Sequence, residues 1–216
     1  MIIRIQLCLL VITIFSLLNI SCESHDNHKI AALQDAGDTK LFTFKSDEKQ
    51  FLISAQPFVI NAGTSLKSAL NRLGAHLAET YFSRTYSNEK TNIRFEVRGI
   101  HEVPADPRGV RIAVINMIDK EKFAMNYFFQ GSAGAQTTFY MLVATFTQPQ
   151  LAVSLVDGLI ILYNGKLLSE MDHINLSGIQ TPSSVRNLAV RAIQNTRTEE
   201  ANLLYMNKIH CKTILG

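Results

Sequence analysis

The sequence predicts an α+β fold. It is one domain built on a mainly antiparallel sheet, with two amphipathic helices packed on it and further helices at the C-terminus. Three observations carry this. Ile93, Phe95 and Val97 alternate with Arg94, Glu96 and Arg98, the period of a strand with one solvated face. Leu66, Ala69, Leu70, Leu73 and Leu77 recur at helical spacing and form one apolar stripe. Asn164-Gly165 separates the apolar runs 159–163 and 166–168, and this dipeptide suits a two-residue hairpin because both turn positions need positive φ.

The elements follow in order. Phe42 and Phe44 alternate with Thr43 and Lys45, giving a first strand over 41–45. Ser46-Asp47-Glu48-Lys49 reads as a turn, and 51–53 and 58–60 as extended segments with Pro57 making an edge or bulge between them. Residues 61–65 (Asn-Ala-Gly-Thr-Ser) supply caps for the leucine helix. The strand beginning at Ile93 extends through Ile100 and Val103 to a turn over 104–109 (Pro-Ala-Asp-Pro-Arg-Gly). Residues 110–117 (VRIAVINM) are apolar on both faces, which predicts a central strand. Gly131-Ser132-Ala133-Gly134 opens a second helix with Ser132 as its cap, and Pro149 stops it. Residues 183–195 and 198–209 read as helices. The first is capped by Ser183 or Ser184, with Val185, Leu188, Ala189, Ala192 and Ile193 as its apolar stripe.

The N-terminus reads as an address. Arg4 precedes a mostly apolar run from Leu7 to Leu18, too short for a spanning helix, and Ser21-Cys22 closes it before polar residues begin at Glu23. The pattern resembles a bacterial lipoprotein signal with Cys22 as the lipidated residue, although Asn19 stands where the usual lipobox has Leu; a plain signal peptide or a signal anchor is the alternative. The expected organisation is a signal peptide over 1–21, a polar tether over 22–40, a domain over 41–178 and a helical extension over 179–216.

Composition narrows the function classes. Across 216 residues, apolar types make up 47% and the net charge is only +3, which supplies a core and no nucleic-acid footprint. Three cysteines, Cys8, Cys22 and Cys211, build neither a disulfide framework nor a four-thiolate zinc site.

Residues 40–44 (KLFTF), 50–60 (QFLISAQPFVI), 65–73 (SLKSALNRL), 109–123 (GVRIAVINMIDKEKF), 131–148 (GSAGAQTTFYMLVATFTQ) and 156–178 (VDGLIILYNGKLLSEMDHINLSG) resemble, in order and spacing, the GerMN domain. That domain is named from a spore-germination lipoprotein and occurs in other bacterial envelope lipoproteins. Gly165 keeps the family's turn glycine, whereas Asn164 replaces the more usual Asp. The resemblance implies a non-catalytic interaction module with no cofactor, located in the cell envelope and facing periplasm or exterior. Its partner would be an envelope protein or peptidoglycan, with the membrane reached through the lipid on Cys22. It implies no catalytic residues, and a link to sporulation does not carry over.

The chemical alternatives read as follows. Asp172, His173 and Ser177 lie close in sequence, but a triad is defined by geometry, and no Gly-x-Ser-x-Gly elbow occurs. The six histidines, His25, His28, His76, His101, His173 and His210, form no His-Glu-x-x-His pattern; no metal ligand set is expected, and His76 reads as half-buried beside the stripe. Gly131–Gly134 lacks the Lys-Ser/Thr ending of a phosphate loop. Arg94, Arg98, Arg108 and Arg111 are the most concentrated positive region and the expected partner-binding residues. Tyr81, Phe82, Tyr86 and Tyr127 offer exposed rings for a glycan, while Tyr127-Phe128-Phe129 reads as core or partly covered. An envelope hydrolase whose groups converge only in space and a small-solute-binding lipoprotein are the competing expectations.

Overall fold

The computed structural model describes residues 39–47, 50–83, 85–86, 89–90, 92–104, 109–168 and 177–198. The predicted signal peptide, most of the tether and the helix expected over 198–209 lie outside the described residues, apart from their edges. The fold is α+β, with two small antiparallel sheets and one mixed four-stranded sheet.

β1 (Lys40–Asp47) and β2 (Gln50–Pro57) form an antiparallel hairpin that is its own sheet, with Lys40 opposite Pro57. Pro57 stands on an edge, without a bulge: β2 runs unbroken to that proline in a two-stranded sheet, and residues 58–60 leave the sheet. At the last position of a strand the missing proline N–H interrupts little of the ladder. The Phe58 N–H donates to the Thr39 carbonyl at 2.9 Å and closes the hairpin's base.

α1 (Leu66–Leu77) begins where expected, with the Ser65 hydroxyl accepting from the Ser68 N–H at 3.2 Å. Its predicted stripe of Leu66, Ala69, Leu70, Leu73 and Leu77 is buried throughout, each leucine contributing about 1.5–3 kcal/mol of transfer free energy. The helix then widens into a π turn, Ala78–Phe82, which carries Tyr81 and Phe82 inward. These rings are therefore core and not exposed stacking surfaces, a correction to the sequence reading. Phe82 packs on Phe95 and Phe128 with ring centroids 5.4 and 4.7 Å away.

After the short pair β3 (Thr85–Tyr86) and β4 (Glu89–Lys90) comes the main sheet. Its strands are β5 (Arg94–Val103), β6 (Val110–Ile118), β7 (Gly158–Tyr163) and β8 (Lys166–Leu167), in that spatial order. β6 is central, as its two apolar faces predict. β6 and β7 run parallel while the other pairs are antiparallel. A parallel pair needs a long crossover, and α2 (Gly131–Thr147) supplies it.

Helices cover one face of this sheet. Ala113, Ile115, Met117, Leu159 and Ile161 are buried there, and α1 packs on β5 while α2 packs on β7. The contact is close: a methyl on Gly74 of α1 would sit 2.7 Å from Phe95 Cβ. α2 also packs against β1 and β2, so it is buried all round from Met141 to Thr147. A helix enclosed on several sides needs no polar face. Its hydroxyls are satisfied internally, as when Thr138 donates to the Phe128 carbonyl at 2.6 Å.

The helix begins one residue before the expected cap. Gln130 is the N-cap, without a side-chain bond, and Gly131 takes φ 64, so Ser132 already stands in the first turn. At the other end Gln148, in left-handed conformation at φ 52, terminates the helix one residue ahead of Pro149. Asn164 and Gly165 take φ 48 and 80, the pair of positive values the hairpin turn requires.

The C-terminal part opens with a helical turn, Pro182–Ser184, and continues as α3, residues 186–198. Val185, Ala189 and Ala192 are buried, as their spacing predicts. Ser183 or Ser184 as a cap is corrected: both belong to the preceding turn. Ala55 N–H on the outer edge of β2 donates to Thr196 Oγ1 at 3.1 Å, which ties α3 to the hairpin.

Candidate functional site

The start of β5 and the end of β6 share one end of the sheet. That end leads into Asp119, the residue after β6, which is fully buried. Its carboxylate accepts from the Phe123 and Ala124 N–H groups at 2.9 and 2.7 Å, so it opens the π turn Ala124–Phe128. It also accepts from the Tyr163 hydroxyl at 2.8 Å. Burial, then the Asp119 carboxylate, push the Tyr163 phenol above its ordinary value, because both disfavour a second negative charge. The Asn164 side chain pairs with both backbone groups of Asp119, accepting from its N–H at 2.8 Å and donating to its carbonyl at 2.9 Å. Asn116 accepts from the Gly165 N–H at 2.8 Å. The β7–β8 turn and the end of β6 are thus one hydrogen-bonded unit. Asp119 is committed to holding shape, which leaves the rim residues to meet a ligand.

Beside this unit lies an open cleft of about 710 Å3 between the end of α1, the start of β5 and the turn after β6. Its polar lining is Glu79, Ser83, Asn92, Arg94, Lys120 and Glu121. Arg94 reaches it because it stands opposite Ile118 in the register, and Lys120 and Glu121 follow directly. The Ser83 hydroxyl donates to the Glu79 carbonyl and holds the chain where it leaves the π turn. Two cations and two carboxylates on one rim favour a ligand that itself carries both charges.

The four arginines named from the sequence do not form one surface. Arg94 is exposed at the cleft. Arg98 is the extra residue of a bulge, since Val97 faces Ile115 and Gly99 faces Val114, and its side chain bridges to Glu96 at 3.2 Å. Arg111 stands at the far end of β6. At ~3.3 Å per residue it is about 23 Å from the level of Arg94. Its guanidinium donates to the Ser154 carbonyl at 3.1 Å and lies 3.9 Å from Asp157, so it fastens the loop before β7. Arg108 and Cys22 lie outside the described residues, as do Tyr86's side chain, Asp172 and His173.

Comparison with protein-family models, with curated proteins and with solved structures finds no match. The assignment of residues to roles therefore rests on this geometry.

Tyr127 is the exposed ring of its trio and stacks on Phe123 at 5.8 Å, while Phe128 and Phe129 are buried. His76 is half-buried with its ring 5.5 Å from that of Phe58. Among the described residues, no three His, Cys, Asp or Glu side chains gather as a metal site, and no helix is long and apolar enough to cross a membrane. Sequence reasoning missed Glu79, Asn92, Lys120 and Glu121 because they stand at element ends that converge only in space. Asp119 escapes the capping rule as well, because it stands five residues before the turn it opens.

Proposed function

We propose that this chain is an exported, lipid-anchored protein of a bacterial cell envelope, whose GerMN-like domain binds a partner and does not catalyse. The partner is peptidoglycan or an envelope protein. One observation carries the reading: an apolar segment closed by Ser21-Cys22 is followed by the mostly polar residues 23–38, and then by the domain whose first strand is β1. That order suits a lipid anchor, a spacer and a binding module held at high local concentration near the surface. The cleft at Arg94 supports binding, because its rim combines Arg94 and Lys120 with Glu79 and Glu121. Peptides of the cell wall carry free carboxylates and amines, the charge pattern that such a rim complements.

Two measurements test this. The mass of the mature N-terminus decides the anchor: an unmodified Cys22 within a retained signal segment would sink it. Co-sedimentation of residues 23–216 with isolated sacculi decides the module. Retention without release of soluble fragments supports glycan binding. Released fragments would establish an enzyme instead, and absence of retention moves the partner to an envelope protein, sought by cross-linking in cells.

A further inference from the structure

β5 is an edge strand of the main sheet, and the hydrogen bonds fix which of its residues face outward. The Asn164 N–H donates to the Met117 carbonyl and the Asp157 N–H to the Arg111 carbonyl, both at 2.8 Å and both from the β7 side. Alternate residues of β6 from Arg111 to Met117 therefore turn their backbone groups toward β7. Their partners on β5 turn theirs outward, among them Val97 opposite Ile115 and Phe95 opposite Met117. Val97 shows it directly: its N–H donates to Asn71 Oδ1 of α1 at 3.0 Å.

α1 runs opposite to β5 along this edge, since Asn71 meets Val97 and Gly74 meets Phe95. Asn71, Ala75 and Ala78 stand at i, i+4 and i+7, one stripe of the helix. The first member reaches across and caps the edge. The next two are alanines, and they line the cleft together with Ile93 and Phe95. Among the described residues, no side chain or loop backbone bonds the Phe95 N–H or carbonyl. The cleft thus holds a backbone donor and acceptor, spaced as a strand presents them. Farther along, the edge is closed: Asn71 occupies Val97, and the bulge at Arg98 interrupts the ladder.

We infer that the ligand of this cleft is an extended segment of a partner protein, which adds to β5 as a short strand opposite Phe95. This rests on the binding reading above and selects an envelope protein over peptidoglycan. The N–H and carbonyl of Phe95 pair with one residue of the segment, and such main-chain bonds supply affinity in strand addition. Side chains of the segment alternate in direction. One set lies over Ala75 and Ala78, and the other meets the rim, where Arg94 and Lys120 take an acidic side chain and Glu79 and Glu121 a basic one. An uncharged glycan strand uses neither pair of charges. Wall peptides contain D-residues, whose side chains do not follow the alternation of an L-strand.

A random library of short linear L-peptides is panned on the full-length chain in detergent, and the enriched peptides are synthesised. Each is also made in two forms that carry N-methyl groups on alternate backbone nitrogens. Only every second N–H of a strand faces its neighbour, so one form should bind about tenfold more weakly and the other nearly unchanged. Hydrogen exchange at the Phe95 amide should slow by about tenfold or more in the complex. Ala75→Leu, at an exposed position, fills the groove and should abolish binding at an unchanged unfolding midpoint; Ala78→Leu replaces it if that midpoint falls. Soluble disaccharide-peptides from digested sacculi are the competing probe. Peptides that bind equally in both methylated forms, or no peptide whose binding depends on the groove alanines, overturn the strand. The cleft then still stands as a binding site if the disaccharide-peptides bind and lose affinity in Arg94→Ala. If neither probe binds at the cleft, the binding reading falls together with the inference.

Discussion

The side chain of Gln148 pairs with both backbone polar groups of Lys40, accepting from its N–H at 2.8 Å and donating to its carbonyl at 2.6 Å. Two residues along the same strand, the Thr145 hydroxyl does the same for Phe42, accepting from its N–H at 3.1 Å and donating to its carbonyl at 3.2 Å. The end of α2 thus stands in for a missing strand along β1. An unpaired edge would invite association, and here a helix covers it.

Gln148 combines two opposing effects, which substitutions separate. Gln148→Ala loses both bonds to Lys40 and keeps a side chain at φ 52, so a loss of about 2–3 kcal/mol is expected. Gln148→Gly loses the same bonds but relieves the left-handed strain, so it should be about 1 kcal/mol more stable than the alanine variant. Urea unfolding at unchanged slope measures both. Equal stability of the two would show that the backbone conformation contributes nothing.

Gly74→Ala tests the fit between α1 and the sheet. In a solvated helix the change should stabilise by up to about 1 kcal/mol. Here the new methyl meets Phe95 Cβ at 2.7 Å, an atom fixed to the β5 backbone. The expected sign is therefore reversed, with a loss of about 1–3 kcal/mol. A stabilised variant in thermal unfolding would refute this packing.

Arg94 and Arg111 should part company. Arg94→Ala leaves stability within about 0.5 kcal/mol, since the side chain is exposed, and, if the proposed partner is peptidoglycan, should weaken retention on sacculi. Arg111→Ala costs about 1–2 kcal/mol through its lost bond to Ser154 and its lost proximity to Asp157, and leaves retention by the folded fraction unchanged. Matched unfolding and co-sedimentation curves decide. Retention lost equally in both would return the arginines to a single surface.

Tyr163 predicts an alkaline limit. Its folded phenol holds its proton more tightly than the ordinary value of 10.0, so the folded chain binds more protons than the unfolded one above that pH. The stabilisation is complete below about pH 10 and declines as pH rises further. Tyr163→Phe removes the bond to Asp119, costs about 1 kcal/mol at neutral pH, and should flatten the alkaline decline relative to the parent. Stability against pH for the two chains, taken as a difference, provides the check.

Local pattern carried much of the fold. The leucine stripe of α1, the alternation of β5, the central place of β6 and the Asn164-Gly165 turn all follow from short-range rules about period and φ. Two features lie beyond such rules. Tyr81 stands four residues after Leu77, on the stripe that α1 already shows, whereas Phe82, five residues after it, turns inward because the helix widens there, and a change of helical pitch leaves no compositional mark. Arg94, Arg98 and Arg111 are near in sequence, but the bulge at Arg98 and the length of β6 separate them.

The sequence by itself determined the elements, their mixed class and the apolar faces that build the core, because side-chain period and turn chemistry act within a few residues. It also carries the pattern at Cys22 on which the anchored reading rests. Only the tertiary structure decided that β6 and β7 run parallel, that α2 is enclosed and edges β1, and that Arg94 meets Lys120 and Glu121 around one cleft. These depend on contacts between residues far apart along the chain. Their geometry is fixed by packing and by buried hydrogen bonds such as Gln148 to Lys40, and no local rule encodes it.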